Sequence, residues 1–177
     1  MNRNEQLQSP RRESETVFVS KNVWQAARPR IMIVACSDGR YQLSLDEFLN
    51  NHLGVTHYDR LYAPGGPGAL ASSTLSYFRG EQFRQESVFL VEAHSLEEII
   101  FIFHGPMQQD GPEDAMCADY RRKMYGANTQ EIYRQQEADL QEAVKAVMKA
   151  NNEIQVSAYR AEVRADMRVQ FVPLKVG

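Results

Sequence analysis

The chain has 177 residues and a formal charge of −3, with 24% charged and 43% hydrophobic residues. That length suits one domain with a substantial core, and the near-balanced charge supplies no basic field for nucleic acid. No apolar stretch reaches bilayer-spanning length, Met1-Asn-Arg-Asn-Glu-Gln lacks the apolar core of a signal peptide, and Cys36 and Cys117 do not make a disulfide framework, so a cytoplasmic setting is expected.

Residues 1–25 read as a polar N-terminal arm and 26–177 as a single α/β domain. Thr16-Val-Phe-Val-Ser20 has the form of a short strand, and Trp24 is a candidate anchor for the arm. Ile31-Met-Ile-Val-Ala-Cys36 is an apolar, β-branched run of the kind buried in a parallel sheet. It stops at Cys36-Ser-Asp-Gly-Arg40, which sets a thiol, a carboxylate and a guanidinium close together. Ser44-Leu-Asp-Glu47 has capping-box form, and Leu45, Phe48, Leu49 and Leu53 then share one helical face up to a stop at Gly54. Tyr58–Ala63 reads as a strand running into Pro64-Gly-Gly-Pro-Gly68. Residues 72–94 read as helix in two pieces broken near Gly80, and 96–103 as a strand followed by His104-Gly-Pro106. Residues 113–125 and 130–150 carry helical spacing, and 154–172 holds two β-rich runs around Asp166-Met-Arg168, a hairpin or an edge strand.

Strand and helix alternate, which predicts a three-layer α/β fold with a mostly parallel central sheet flanked by helices. Parallel strands would carry Cys36, the loop at 64–68 and His104 to one carboxyl edge, where ligands bind in such folds. A cysteine and a histidine brought together there make half of a zinc site. Each residue also has a plainer role: a buried thiol, a tight turn, a hydrogen-bonded core histidine. His52 and His57 read as surface residues, and His94 as a helix-end residue favoured by the dipole. Arg11-Arg12 and Arg121-Arg122-Lys123 read as solvated clusters.

Cys36-Ser-Asp-Gly-Arg40 after a buried strand resembles the Cys-x-Asp-x-Arg motif of the β-class carbonic anhydrases. Tyr62-Ala-Pro-Gly-Gly66 sits where that family has its Arg-Asn-Ala-Gly-Asn loop. Glu86 to His104 is similar to the segment leading into its His-x-x-Cys motif, and the likeness covers residues 28–120. The resemblance implies a β-carbonic-anhydrase-like fold and a Zn2+ ion held by Cys36, His104 and a second cysteine. It also implies hydration of CO2 to bicarbonate, or of a related small electrophile, by a zinc-bound hydroxide. The family's second cysteine falls at Met107 here, and a thioether is a poor zinc ligand. Cys117, beyond the apparent insertion Gln108-Gln-Asp-Gly-Pro-Glu113, is therefore the expected third ligand, with Asp110 and Asp38 as weaker candidates. Asp38 would orient the hydroxide, Arg40 would hold Asp38 ionised, and Gly65 and Gly66 would let the backbone approach substrate. The resemblance further implies a homodimer or higher even oligomer, with the arm wrapped round a neighbour.

Two other readings stand beside this one. A non-catalytic protein of the same fold could bind a small anion or a protein partner; Met107 and the Pro-Gly-Gly-Pro loop favour it. A metal-free enzyme could use Cys36 as nucleophile and His104 as base, although the Cys36–Arg40 spacing is too short for a phosphatase loop.

Overall fold

A computed structural model describes residues 17–177. Residues 1–16, with most of the expected arm, Arg11 and Arg12, lie outside the described residues. Five strands form one sheet: β1 (Ile31–Cys36), β2 (Asp59–Ala63), β3 (Glu98–Pro106), β4 (Gln155–Val163) and β5 (Val169–Pro173). Their order is β2-β1-β3-β4-β5, parallel except for β5, which returns antiparallel to β4 as a hairpin. The helices are α1 (Gln42–Glu47), α2 (Tyr77–Ala93), α3 (Ala118–Lys123) and α4 (Thr129–Met148).

The period-two geometry of a strand explains the layering. Met32 and Val34 point into one core with Phe101 and Phe103 of β3, covered by Phe83 and Val91 of α2 and Leu140 and Val144 of α4. Their chain neighbours Ile33 and Ala35 point into the other, with Ile100 and Ile102, covered by Tyr41, Leu45 and Leu49. Both faces of the central strands are buried, as their unbroken apolar sequence requires. Each large aliphatic side chain removed from water contributes about 1.5–3 kcal/mol.

Several local expectations need correction. Residues 17–20 carry no strand, and Trp24 is exposed and anchors nothing within the described chain. The capping box at Ser44–Glu47 is not used: Asp38 caps a 3-10 turn at Gly39–Tyr41 that runs directly into α1, so Ser44 already lies inside the helix. The same signature is used at Asn128–Glu131, where both reciprocal hydrogen bonds form and start α4. Gly80 does not break α2; its missing side chain makes room for Thr74, whose Cγ2 would lie 2.6 Å from an added Cβ. The third strand is longer than read, so His104 stands within β3 and not after it. Residues 113–125 are not one helix but a 3-10 turn at Glu113–Ala115, a kink at Cys117 and the short α3.

A buried polar cluster fixes the elements around the glycine-rich loop. Asp139 of α4 is fully buried and accepts from Ser73 Oγ (2.8 Å), Gln135 Nε2 (2.7 Å), Tyr120 OH (2.5 Å) and Lys123 Nζ (2.6 Å). One carboxylate thereby joins α3, α4 and the loop after β2, with its charge matched by a buried lysine.

Candidate metal centre

Cys36 is the last residue of β1 and His104 lies near the end of the adjacent β3, so sheet register alone brings them to one edge. Cys117 arrives by a different route. After β3 the chain turns at Met107–Gly111, closed by the Gly111 N–H on the Met107 carbonyl, while the Met107 N–H donates to Val163. An added Cβ at Gly111 would run into both Met107 and Val163 backbone, so this return needs glycine. The chain then passes through Glu113–Ala115 and sets Cys117 at the N-cap of α3. Among the described residues Cys36, His104 and Cys117 form the group that could hold a metal, with their ligand atoms all within 4.8 Å of one another. Asp38 and Asp110 are outside this group; Asp110 is exposed in the turn after Met107.

The chemistry of the three donors fits zinc. The two sulfurs are 3.9 Å apart, close to the roughly 3.8 Å that tetrahedral geometry gives for two zinc–sulfur bonds of about 2.3 Å. His104 is buried and donates its Nδ1–H to the Ala115 carbonyl at 3.2 Å. Its other ring nitrogen, Nε2, is buried with no hydrogen-bond partner. An orphaned imidazole lone pair costs free energy unless something occupies it. The Cys117 thiol is pulled down, first by the hydrogen bond from Cys36 and then by the neighbouring His104 ring, against the effect of burial. The same hydrogen bond, reinforced by burial, pushes Cys36 up. Backbone N–H groups of Gly65 and Asp38 work the other way on Cys36, favouring its thiolate.

The polar groups around the donors hold them in place. Arg40 grips Asp38 with Nε at 3.0 Å to Oδ1 and a terminal nitrogen at 2.6 Å to Oδ2, which keeps that carboxyl below its ordinary value. A cavity of about 120 Å³ opens beside Cys36 and Asp38, lined also by Tyr41, Leu45, Arg60 and Tyr62. It is well below the roughly 300–1,000 Å³ of pockets for drug-sized ligands. A larger groove of about 610 Å³ lies away from the cysteines, between Phe48, His52 and the β4–β5 hairpin.

Gly65 and Gly66 are both buried with positive φ, +86° and +56°. Gly65 serves the site through its N–H on the Cys36 sulfur, and Gly66 lies against the backbone where β1 ends. His94 caps the end of α2, as read, and pairs there with Asp59 at 2.6 Å. Arg121 is not simply solvated; it donates to the Glu113 carbonyl at 2.8 Å. Residues that sequence reasoning missed are Tyr41 and Gln136. Tyr41 donates to the Ala115 carbonyl at 2.8 Å and lies against the His104 ring, with centroids 4.3 Å apart. Gln136, fully buried, donates to the His104 carbonyl at 3.1 Å. No local signal marks either one, because their partners are distant in sequence.

No family model matches the chain, and no curated protein does. Among solved structures it is similar to a carbonic anhydrase from Streptococcus mutans, at 16% identity and a TM-score of 0.46, covering 85% of this chain and 87% of that one. It is similar also to a β-carbonic anhydrase from Trichomonas vaginalis, at 14% identity, a TM-score of 0.46 and 88% of each chain. A third is a carbon disulfide hydrolase, at 12% identity and a TM-score of 0.45, covering 85% of this chain and 80% of that one. The first of these is named a carbonic anhydrase and the second a β-carbonic anhydrase.

Proposed function

We propose that this protein is a zinc-dependent hydratase acting on CO2 or a related small electrophile. The observation that carries this reading is the buried Cys36–His104–Cys117 group with the Nε2 lone pair of His104 left unpartnered among the donors. Cys36, His104 and Cys117 would hold the metal. Bound zinc supplies a Lewis acid that brings the pKa of water from about 15.7 to near 7. Asp38, ionised by Arg40, accepts a hydrogen bond from the attacking water and orients it. The small cavity beside Cys36 and Asp38 admits a molecule of a few atoms and excludes nucleotides and larger cofactors. A related small electrophile of similar size, such as a heterocumulene, meets the same steric test. Burial of Gly65 and Gly66 makes them builders of the cysteine environment more than a substrate surface.

The working unit in this reading is a cytoplasmic homodimer or higher even oligomer. Val17, Phe18, Val19 and Trp24 are exposed in the described part of the arm, an apolar surface that a second copy would cover. Among the described residues no helix is long and apolar enough to cross a membrane.

The non-catalytic alternative keeps one observation in its favour. The loop at Gly66–Ala69 is made of glycine, proline and alanine, so it offers no polar side chain to a substrate. Metal analysis and a CO2 hydration assay separate the two readings. Purified protein is expected to carry about one zinc per chain, with Cys36→Ala and His104→Ala abolishing it and Cys117→Ala reducing it severely. Unchanged zinc in Cys117→Ala would remove Cys117 from the site. Metal-free wild-type protein would overturn the enzyme reading, and a zinc-loaded protein without hydration activity would favour the binding role.

A further inference from the structure

The third donor reaches the site from a loop that leaves the sheet edge after β3 and returns, so something other than a short covalent tether must hold it there. Three successive carbonyls of that returning segment are gripped from outside it. Glu113 accepts from Arg121 at 2.8 Å, Asp114 from Arg40 at 3.1 Å, and Ala115 from Tyr41 at 2.8 Å. Ala115 accepts a second bond, from His104 Nδ1 at 3.2 Å. Tyr41 is thus tied to all three donors. It lies in the turn that follows Cys36, its ring packs on the His104 ring at 4.3 Å, and its hydroxyl holds a carbonyl two residues before Cys117.

We infer that Tyr41 is a positioning residue for the metal, bracing the returning loop against His104 so that Cys117 and the His104 Nε2 lone pair face one point. Accepting from both Tyr41 and His104, the Ala115 carbonyl keeps the proton on Nδ1 and so fixes the tautomer that leaves Nε2 free. Tyr41 is 7% exposed, so the strut is shielded from competing water. Arg40 and Arg121 hold the neighbouring carbonyls and keep the loop from peeling away one residue at a time. This inference rests on the proposed zinc site and adds to it the means by which a chain with a distant third ligand assembles one.

The test compares wild-type full-length protein with Tyr41→Phe, which keeps the ring and removes the hydroxyl bond. Zinc affinity is measured by competition with a chromophoric chelator, and the site is then loaded with cobalt(II) to record its thiolate charge-transfer and ligand-field bands. Tyr41→Phe is expected to weaken zinc binding by about 10–100-fold and to shift the ligand-field bands, with its far-UV circular dichroism unchanged. Tyr41→Phe protein that binds zinc as tightly as wild type, with an identical cobalt spectrum, overturns the positioning role. Arg121→Met removes an exposed strut without touching the core, and keeps the test open should Tyr41→Phe not fold. Its zinc affinity is expected to fall in the same direction, and an unchanged value overturns the three-carbonyl grip. Wild-type protein that takes up neither zinc nor cobalt refutes the metal site itself, a result distinct from either variant failing to differ.

Discussion

Replacing Gly66 by alanine tests how the end of β1 that carries Cys36 is held. Gly66 has φ +56°, and an added Cβ would lie 2.8 Å from the Cys36 nitrogen, 3.0 Å from the Ala35 carbonyl carbon and 3.1 Å from the Ile102 oxygen. All three obstacles are backbone atoms of the central strands, so no side-chain rotation relieves them. The left-handed conformation costs an L-residue about 1–2 kcal/mol, and overpacking a tight interior costs about 1–3 kcal/mol. Gly66→Ala should therefore destabilise the fold by about 2–5 kcal/mol, a large part of the 5–15 kcal/mol typical of a domain. At about 2–4 °C per kcal/mol for a chain of this size, the melting midpoint should drop by several degrees or more. Urea unfolding monitored by circular dichroism measures the first quantity, and zinc content reports whether Cys36 has moved. Gly65→Ala is the informative contrast, because its nearest obstacle is the tip of a side chain, Asp119 Oδ2 at 2.7 Å. Its cost should shrink in an Asp119→Ala background, whereas the cost of Gly66→Ala should not. A Gly66→Ala protein within about 1 kcal/mol of wild type would contradict the close packing of this loop on β1.

The remaining predictions concern charge and assembly. Arg40 hydrogen-bonding lowers the Asp38 pKa in the folded chain, so the contribution of this pair is complete above the ordinary aspartate value of about 3.9 and is lost as pH falls through the depressed folded value. Arg40→Met should move that acid limb upward; a carboxyl-carbon NMR titration of Asp38 that is the same in both proteins would sink the assignment. Sedimentation at micromolar concentration should show a species of at least twice the 20.3 kDa chain, and a purely monomeric profile would refute the proposed oligomer.

The sheet was legible because its signal is local. β1 is an unbroken apolar run that stops at Cys36, and a parallel arrangement of β1 and β3 follows from the intervening helix. His104 could be placed beside Cys36 from that pattern alone. Cap positions were less legible, since Ser44–Glu47 and Asn128–Glu131 carry the same signature and only the second is used. What decides between them is Asp38, which starts a turn upstream of Ser44 and takes the capping role first. Cys117 lay at the limit of what sequence can say. Its place depends on a return turn at Met107–Gly111 that is tied to Val163, on a bond from Arg121, and on bonds from Arg40 and Tyr41 that join residues 74 positions apart. Tyr41 itself carries no mark in the sequence, because its value comes only from the carbonyl it meets.

Cys36 and Cys117 are separated by 81 positions, and this spacing makes the site a property of the finished topology. An unfolded chain has no such group, since β1 and β3 must pair and the post-β3 loop must return before the donors meet. A covalent link across a loop of that order would restrict the unfolded ensemble by about 4–5 kcal/mol in the chain-entropy picture. A metal held by the same two sulfurs only in the folded chain would instead stabilise by binding the native state, as a late latch that slows unfolding more than it speeds folding. Zinc supply would then set the lifetime of the folded protein as well as its chemistry.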